Sequence, residues 1–272
     1  MNRIFNFPKY TFLVMQVVQN YFLYFLDYWG LINVPYILNF KDGISLYMRP
    51  RCKMEVGDID ILEEVLFDDI YKIKKNISEN DTIVDIGSHI GIFALLAAKS
   101  AKNGHVFAFE PASENFKLLQ SNVILNNLDN LKVYRYAVDA KKGFVNLYLS
   151  KQNVGAHTLF GYGNEQNLDS SQVESIDLEY IFETFKIDRI NLLKLDCEGC
   201  EYPILLNSSE TLIRRIDRII LEEHNTDLIS NIYPSKVLEN LLLRYDFEVS
   251  ILKEVLYEGE GFFRILYACY RG

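Results

Sequence analysis

From residue 81 onward, short β-branched runs alternate with stretches of helical period, and this alternation constrains the 272-residue chain more than any other feature. Asp81–Gly87 reads as a buried strand stopped by a glycine, followed by a helix over Ile90–Ser100. His105–Glu110 is a second strand, broken by Pro111, and Ser113 is placed to cap the helix that runs to Asn126–Asn127. Leu131–Val138, Ile190–Asp196 and Arg218–Leu221 supply three more strands. A helix over Ser235–Arg244 precedes the last two, Phe247–Leu252 and Phe263–Tyr270. Parallel neighbours need crossover connections, so strands alternating with helices predict an α/β fold. Its mostly parallel, seven-stranded sheet carries helices on both faces. No helix separates the last two strands, which therefore form a hairpin around Glu258–Gly261 and give an antiparallel strand at that edge. The polar stretch Tyr162–Ser171 reads as a surface loop.

The N-terminal part is different. Residues 1–56 carry Arg3, Lys9, Lys41, Arg49, Arg51 and Lys53 against Asp27, Asp42 and Glu55, although the whole chain has a net charge of −9. Twelve of its aromatics fall within residues 1–40. Thr11–Trp29 reads as one helix with a thin polar stripe of Gln16, Gln19, Asn20 and Asp27, stopped at Gly30. Four polar side chains make it a poor membrane span. The expectation is a separate aromatic helical segment, 1–56, ahead of a domain over 57–272. Its helix packs on that domain or on a second copy of the chain, or lies on a membrane surface. The last is disfavoured, since the stripe has no Lys or Arg.

In an open α/β sheet, ligands bind beyond the carboxyl ends of the strands. The loop after the first strand, Asp85-Ile86-Gly87-Ser88-His89-Ile90-Gly91, spaces its glycines G-x-x-x-G with an acid ahead of them. A dinucleotide fingerprint, G-x-G-x-x-G, would gather backbone N–H groups around a diphosphate, which an NAD-dependent oxidoreductase requires. An acid at this turn suits a cationic ligand instead. Glu110 ends the second strand 25 positions after Asp85, where a carboxylate accepts from a ribose diol. Together they imply a nucleoside with a positive group, S-adenosylmethionine being the obvious candidate. The second constellation is Lys194-Leu195-Asp196-Cys197-Glu198-Gly199-Cys200-Glu201, with Lys194 and Asp196 on one face by period two. Its acids suit holding an ammonium, orienting a substrate hydroxyl or ligating a metal. Leu221-Glu222-Glu223-His224 adds acids and an imidazole at the same edge, with His224 a general base or donor, or simply a loop cap.

D-I-G-S-H-I-G, F-A-F-E-P, K-L-D-C-E-G-C-E and L-E-E-H, in this order over roughly Asp58–His224, resemble the FkbM family of S-adenosylmethionine-dependent methyltransferases. The resemblance implies a Rossmann-like class I methyltransferase sheet and O-methylation of a hydroxyl on a sugar, glycan or related metabolite. By that likeness Tyr71, Asp85, Gly87, His89, Gly91, Glu110 and Asp196 are expected at the cofactor, with Ala137 and Val138 at its adenine. Lys194, Asp196, Glu198, Glu201 and His224 are expected near the transferred methyl. Cys197, Cys200 and His89 depart from the family's usual residues. A thiol pair here flanks acids rather than opening a helix that would lower a thiol pKa, so a redox role is disfavoured.

A sugar hydroxyl is a poor nucleophile, so a base is expected: Asp196 or His224, then Glu198. A divalent ion held by Asp196 and Glu198 would serve the same end. The acidic balance excludes nucleic acid as the main partner, because phosphate binding needs a basic footprint. The expected acceptor is a small molecule, a glycan or a lipid-linked glycan. Four cysteines, too few for a disulfide framework, and no apparent leader suggest a cytoplasmic protein, peripheral to a membrane at most. A binding subunit that kept the fold without catalysis is the rival from another class.

Overall fold

The computed structural model of the chain describes residues 9–51, 56–150, 153, 155, 157–159, 169–256 and 262–272. Arg3, Cys52, Lys53, Glu55, the hairpin turn Glu258–Gly261 and the polar stretch up to residue 168 lie outside them. The first elements are two short helices, α1 (Thr11–Val17) and α2 (Tyr21–Tyr28), and a hairpin, β1 (Tyr36–Asn39) with β2 (Ser45–Met48). The expected single helix over Thr11–Trp29 is thus broken at Val18–Asn20, and the hairpin causes the break. Gln19 N–H donates to the Asn39 carbonyl, Lys41 N–H donates to that of Val17, and Val18 bridges Phe40. Asn20 accepts from Asn39 N–H and donates to the Ile37 carbonyl. The polar stripe therefore serves the hairpin in part. Asp27 is fully buried, accepting from Arg51 N–H at 2.6 Å and the Tyr36 hydroxyl at 2.8 Å.

Helix α3 (Asp58–Leu62) runs into one π-helical turn at Glu63–Phe67 and is followed by α4 (Ile73–Asn76). Strand β3 (Thr82–Ile86), α5 (Ile92–Ser100), β4 (His105–Phe109), α6 (Ser113–Asn126) and β5 (Leu131–Tyr134) then build one half of the main sheet. Ala112, not Ser113, caps α6, because the Glu110 carboxylate takes the Ala112 N–H at 2.9 Å. The expected strand Leu131–Val138 is split. Its second part, β6 (Ala137–Val138), leaves the main sheet and joins β7 (Gly143–Leu149) and β8 (Asp169–Ile176) in a three-stranded sheet of order β6-β8-β7. Residues 169–171 of the expected loop belong to β8.

After α7 (Leu178–Thr184) the chain returns through β9 (Leu192–Leu195), helices α8 (Glu201–Asn207) and α9 (Glu210–Ile213), β10 (Arg218–Asn225), α10 (Asp227–Ser230) and α11 (Val237–Arg244). Strands β11 (Phe247–Leu256) and β12 (Phe262–Tyr270) close the sheet. The order is β11-β12-β10-β9-β3-β4-β5. Only β12 among these seven runs against its neighbours, inserted between β10 and β11. This is the seven-stranded, mostly parallel α/β sheet that the alternation predicts.

Alternation across the strands divides the core in two. Ile83 faces α5 and the N-terminal elements, whereas Val84 and Ile86 face α7, α8 and α11. Val14, Val18, Tyr24, Leu38 and Leu46 join the first cluster, so the N-terminal helices and hairpin share a core with α5. Each such fully buried side chain is worth about 1.5–3 kcal/mol. Among the described residues no helix is long and apolar enough to cross a membrane. Phe12, Phe22, Leu31 and Val34 nevertheless remain exposed.

Candidate active site

The chain leaves β3 for β4 on one side and reaches β9 on the other, so strand order reverses between β3 and β9. Beyond the carboxyl ends of these strands lies a cleft of about 490 Å³. Gly87 forms its floor at φ +78°, and a Cβ there would stand 1.7 Å from the Asp196 carbonyl oxygen. Glycine is required because the β3 and β9 turns touch backbone to backbone. Gly91, also left-handed, does not line the cleft: a Cβ would meet Leu119 at 2.5 Å, so its role is to let α5 start against α6. This corrects the expectation that it contacts a cofactor.

Asp85 and Lys194 need the same correction. Both are buried beneath the glycine turn and neither lines the cleft. Lys194 Nζ stands 3.0 Å from Asp85 Oδ1 and 3.3 Å from Asp196 Oδ2, and donates to the Gly87 carbonyl at 3.0 Å. Burial alone would lower the ammonium's pKa, but the carboxylates of Asp85 and Asp196 carry it upward. Burial likewise raises Asp85, against the pull of Lys194. The pair therefore positions the floor. Lys194 is not placed to meet an acceptor, nor Asp85 a sulfonium.

Glu110 does face the cleft. Its Oε2 accepts from His89 N–H and its Oε1 from Ala112 N–H, each at 2.9 Å. Asn115 hydrogen-bonds the same carboxylate, which leaves one acceptor site for a hydroxyl of a vicinal diol. Burial pushes this carboxyl up to about 7, against those two N–H groups and Asn115. His89 lines the cleft in a left-handed conformation, with Nε2 2.9 Å from Arg49 Nη2 and 3.4 Å from Asp58 Oδ1. Burial lowers it to about 4, so it is neutral and Nε2 accepts from the guanidinium. Ala137 and Val138 form an apolar wall with Phe109 and Pro111.

Opposite that wall, Tyr71 is buried with its hydroxyl in hydrogen-bond contact with Asp196 Oδ2, at 3.0 Å, and with Glu222 Oε1. One phenolic hydrogen cannot serve two carboxylates. The geometry is satisfied when Glu222 keeps a proton for the tyrosine oxygen and Tyr71 donates to Asp196. Electrostatics agree: burial and Asp196 push Glu222 up to about 8. Burial also opposes ionisation of Asp196, but Lys194, His224 and the Tyr71 hydroxyl hold it below the usual carboxylate range. The sequence places Glu222 at this edge but assigns it no role. Period two along β10 puts Glu222 and His224 on the cleft face, while Glu223 faces Arg264 and Tyr202 behind the sheet.

His224 lies 3.8 Å from Glu198 Oε2 through Nε2 and 3.6 Å from Glu201 Oε1 through Nδ1. Burial would lower its pKa, but Glu198, Glu201 and Asp196 carry it well above the ordinary value. It is thus set to hold a proton rather than take one, which removes it as general base. Glu198 lines the cleft from a left-handed residue tied down by the Thr158 hydroxyl, which donates to its carbonyl at 2.7 Å. Glu201 is buried and binds the turn, accepting from Cys197 and Gly199 N–H at 2.9 Å each. Burial raises the Cys197 thiol far from the thiolate a redox pair would need. For a cation, Asp196, Glu222 and His224 offer ligand atoms within 4.8 Å of one another; Glu198 is not in that set. His157, Phe263 and Lys253 also line the cleft from places the sequence did not mark.

A model of the methyltransferase FkbM domain matches residues 85–249. Methyltransferase 1 of Beauveria bassiana is 25% identical over 202 residues, 68% of this chain and 80% of its own. The hexuronic acid methyltransferase AglP of Haloferax volcanii is 26% identical over 147 residues, 54% of this chain and 57% of its own. Among solved structures, the methyltransferase FkbM from Methylobacillus flagellatus KT aligns with a TM-score of 0.46 at 16% identity. That alignment covers 71% of this chain and 44% of the other.

Proposed function

The chain belongs to the FkbM methyltransferase family, and from that premise we propose that it moves the methyl group of S-adenosylmethionine to a hydroxyl of a sugar or glycan. The observation that carries the reading is the pairing, across one cleft, of a diol-accepting carboxylate, Glu110, with an ionised carboxylate held by Tyr71 and Lys194, Asp196. The residues present suit the cofactor. Glu110 would hold the ribose, Ala137 and Val138 would flank the adenine, and the Gly87 turn gives room for close approach. The bound sulfonium supplies a methyl that leaves its sulfur as a neutral thioether while a new C–O bond forms.

The chain's own residues then do three things. Asp196, held ionised before the transfer by Lys194, His224 and the Tyr71 hydroxyl, accepts the hydroxyl proton of the acceptor. Tyr71 and Lys194 fix the orientation of that carboxylate, and the proton kept on Glu222 prevents a second negative charge beside it. His224, as an imidazolium between Glu198 and Glu201, orients the acceptor by donating to it. Likeness to AglP, a hexuronic acid methyltransferase, supports a sugar acceptor. The exposed Phe12 and Phe22 support an acceptor presented at a membrane surface, such as a lipid-linked glycan.

Calorimetry with S-adenosylmethionine and its demethylated product tests the cofactor, and label transfer to glycans tests the reaction. Asp196→Asn is expected to bind cofactor within about twofold of wild type and to lose at least about 100-fold in turnover, the range of a lost general base. Wild-type protein that ignores both nucleosides would sink the proposal.

A further inference from the structure

Strand β11 pairs with β12 residue for residue as far as Ile251 opposite Leu266, then slips: Lys253 opposes Ile265, and Leu252 is an extra residue. Opposed residues share a face of a sheet, and side chains alternate along each strand. Val249 and Ile251 share the face of Ala268 and Leu266, which belongs to the α11 side of the core. Without the slip, Lys253 and Val255 would follow them. With it, they stand on the face of Ile265 and Phe263, and the β12–β10 ladder continues that face to Glu222 and His224. Lys253, Val255, Phe263 and His224 line the cleft together as a result. The Phe263 ring is 5.3 Å from the His224 ring and 5.5 Å from Lys253 Nζ. Lysines also guard sheet edges against foreign strands, but a guard works on either face. The bulge selects the cleft face.

We propose that the Leu252 bulge builds an anion subsite in the acceptor half of the cleft. There Lys253 and His224 receive a carboxylate or phosphate of the acceptor while the Phe263 ring between them packs on its sugar. The inference rests on the methyl-transfer reading and narrows its substrate to an anionic sugar. Among the described residues Lys253 makes no ion pair within 4 Å; the carboxylates of Glu64 and Asp68 feel its charge only through space, so no carboxylate is in direct contact with its ammonium.

The test is titration of glucuronate, glucose 6-phosphate and glucose, followed by the NMR signals of Phe263 and Lys253. Wild type and Lys253→Gln are compared, each with and without S-adenosylhomocysteine. Wild type should bind at least one charged probe about tenfold more tightly than glucose, and Lys253→Gln should cancel that advantage. The choice between glucuronate and the phosphate then identifies the anion. Equal affinity for glucose, an advantage that survives in Lys253→Gln, or no binding of any probe would overturn the proposal. Calorimetry of S-adenosylhomocysteine on the same samples should give equal affinities for both proteins. Its absence in wild type would instead count against the methyl-transfer reading itself.

Discussion

At Glu110, one carboxyl carries two opposed requirements. Burial lifts its pKa to about 7, from an ordinary value near 4.5. Between those pH values the folded protein holds a proton that the unfolded chain has lost, so its contribution to stability falls as pH rises and levels off above about 7. The full shift corresponds to a few kcal/mol at most, on the scale of about 1.4 kcal/mol per pKa unit. Glu110→Gln, which cannot ionise, should therefore match wild type in thermal midpoint near pH 4 and exceed it increasingly up to pH 7. The same substitution should weaken cofactor binding at least about tenfold, since an amide offers one acceptor oxygen where the carboxylate has two. Differential scanning calorimetry across pH with a binding titration checks both halves, and an unchanged affinity would remove Glu110 from the site. The place of Glu110 at the cleft was legible in the chain because a strand run of H-V-F-A-F ends at it and Pro111 follows. Glu222 was not. Its neighbour Glu223 reads identically in sequence, and only the face that β10 turns toward the cleft separates a site residue from the partner of Arg264.

At the level of elements, the tips of β3, β4 and β9 were readable because each apolar run stops abruptly at a glycine, a proline or an acid. Strand ends that depend on a distant partner were not. Leu131–Val138 (L-K-V-Y-R-Y-A-V) has no turn residue to break it, yet Tyr134 pairs with β4 while Ala137 pairs with β8, more than thirty residues away in the chain. The break in the N-terminal helix is of the same kind, since it answers to hydrogen bonds from Asn39 and Lys41 rather than to helix propensity. The β3 turn offers the sharpest test of how elements build the cleft. Gly87→Ala must place a Cβ 1.7 Å from the Asp196 carbonyl in a left-handed backbone. The conformation alone costs about 1–3 kcal/mol, and the β9 turn must move as well. Gly87→Ala should lower the urea midpoint and lose cofactor affinity together. A variant of wild-type stability would show that β3 and β9 do not meet as described.

Across the whole molecule, the N-terminal hairpin reaches the β3 turn at the cleft through an ion pair of the half-buried Arg49 with the buried Asp58. Arg49, just after β2, donates to Asp58 Oδ1 from Nη2 at 2.7 Å, and the same nitrogen stands 2.9 Å from His89 Nε2. Asp58 is fully buried at the start of α3. Three parts of the chain, the hairpin, α3 and the β3 turn, therefore meet on one guanidinium. Residues 1–56 read as a compositionally separate segment because charge and aromatic content change there, and a composition shift cannot reveal that Arg49 faces inward. Arg49→Gln leaves the Asp58 carboxylate buried without its partner, a change that costs about 3–5 kcal/mol. It should also move the His89 titration. Burial is the main force holding that imidazole near 4, but Arg49 lowers it further and Asp58 raises it. Removing the guanidinium leaves only burial and His157 against the carboxylate's pull, so the His89 pKa must rise. Chemical-shift titration of the His89 ring in wild type and Arg49→Gln reads this directly, and Arg49→Lys, which keeps the charge, should restore most of the difference. If the His89 curve stays where it was in Arg49→Gln, the hairpin does not govern the β3 turn, and the N-terminal segment contributes core packing alone.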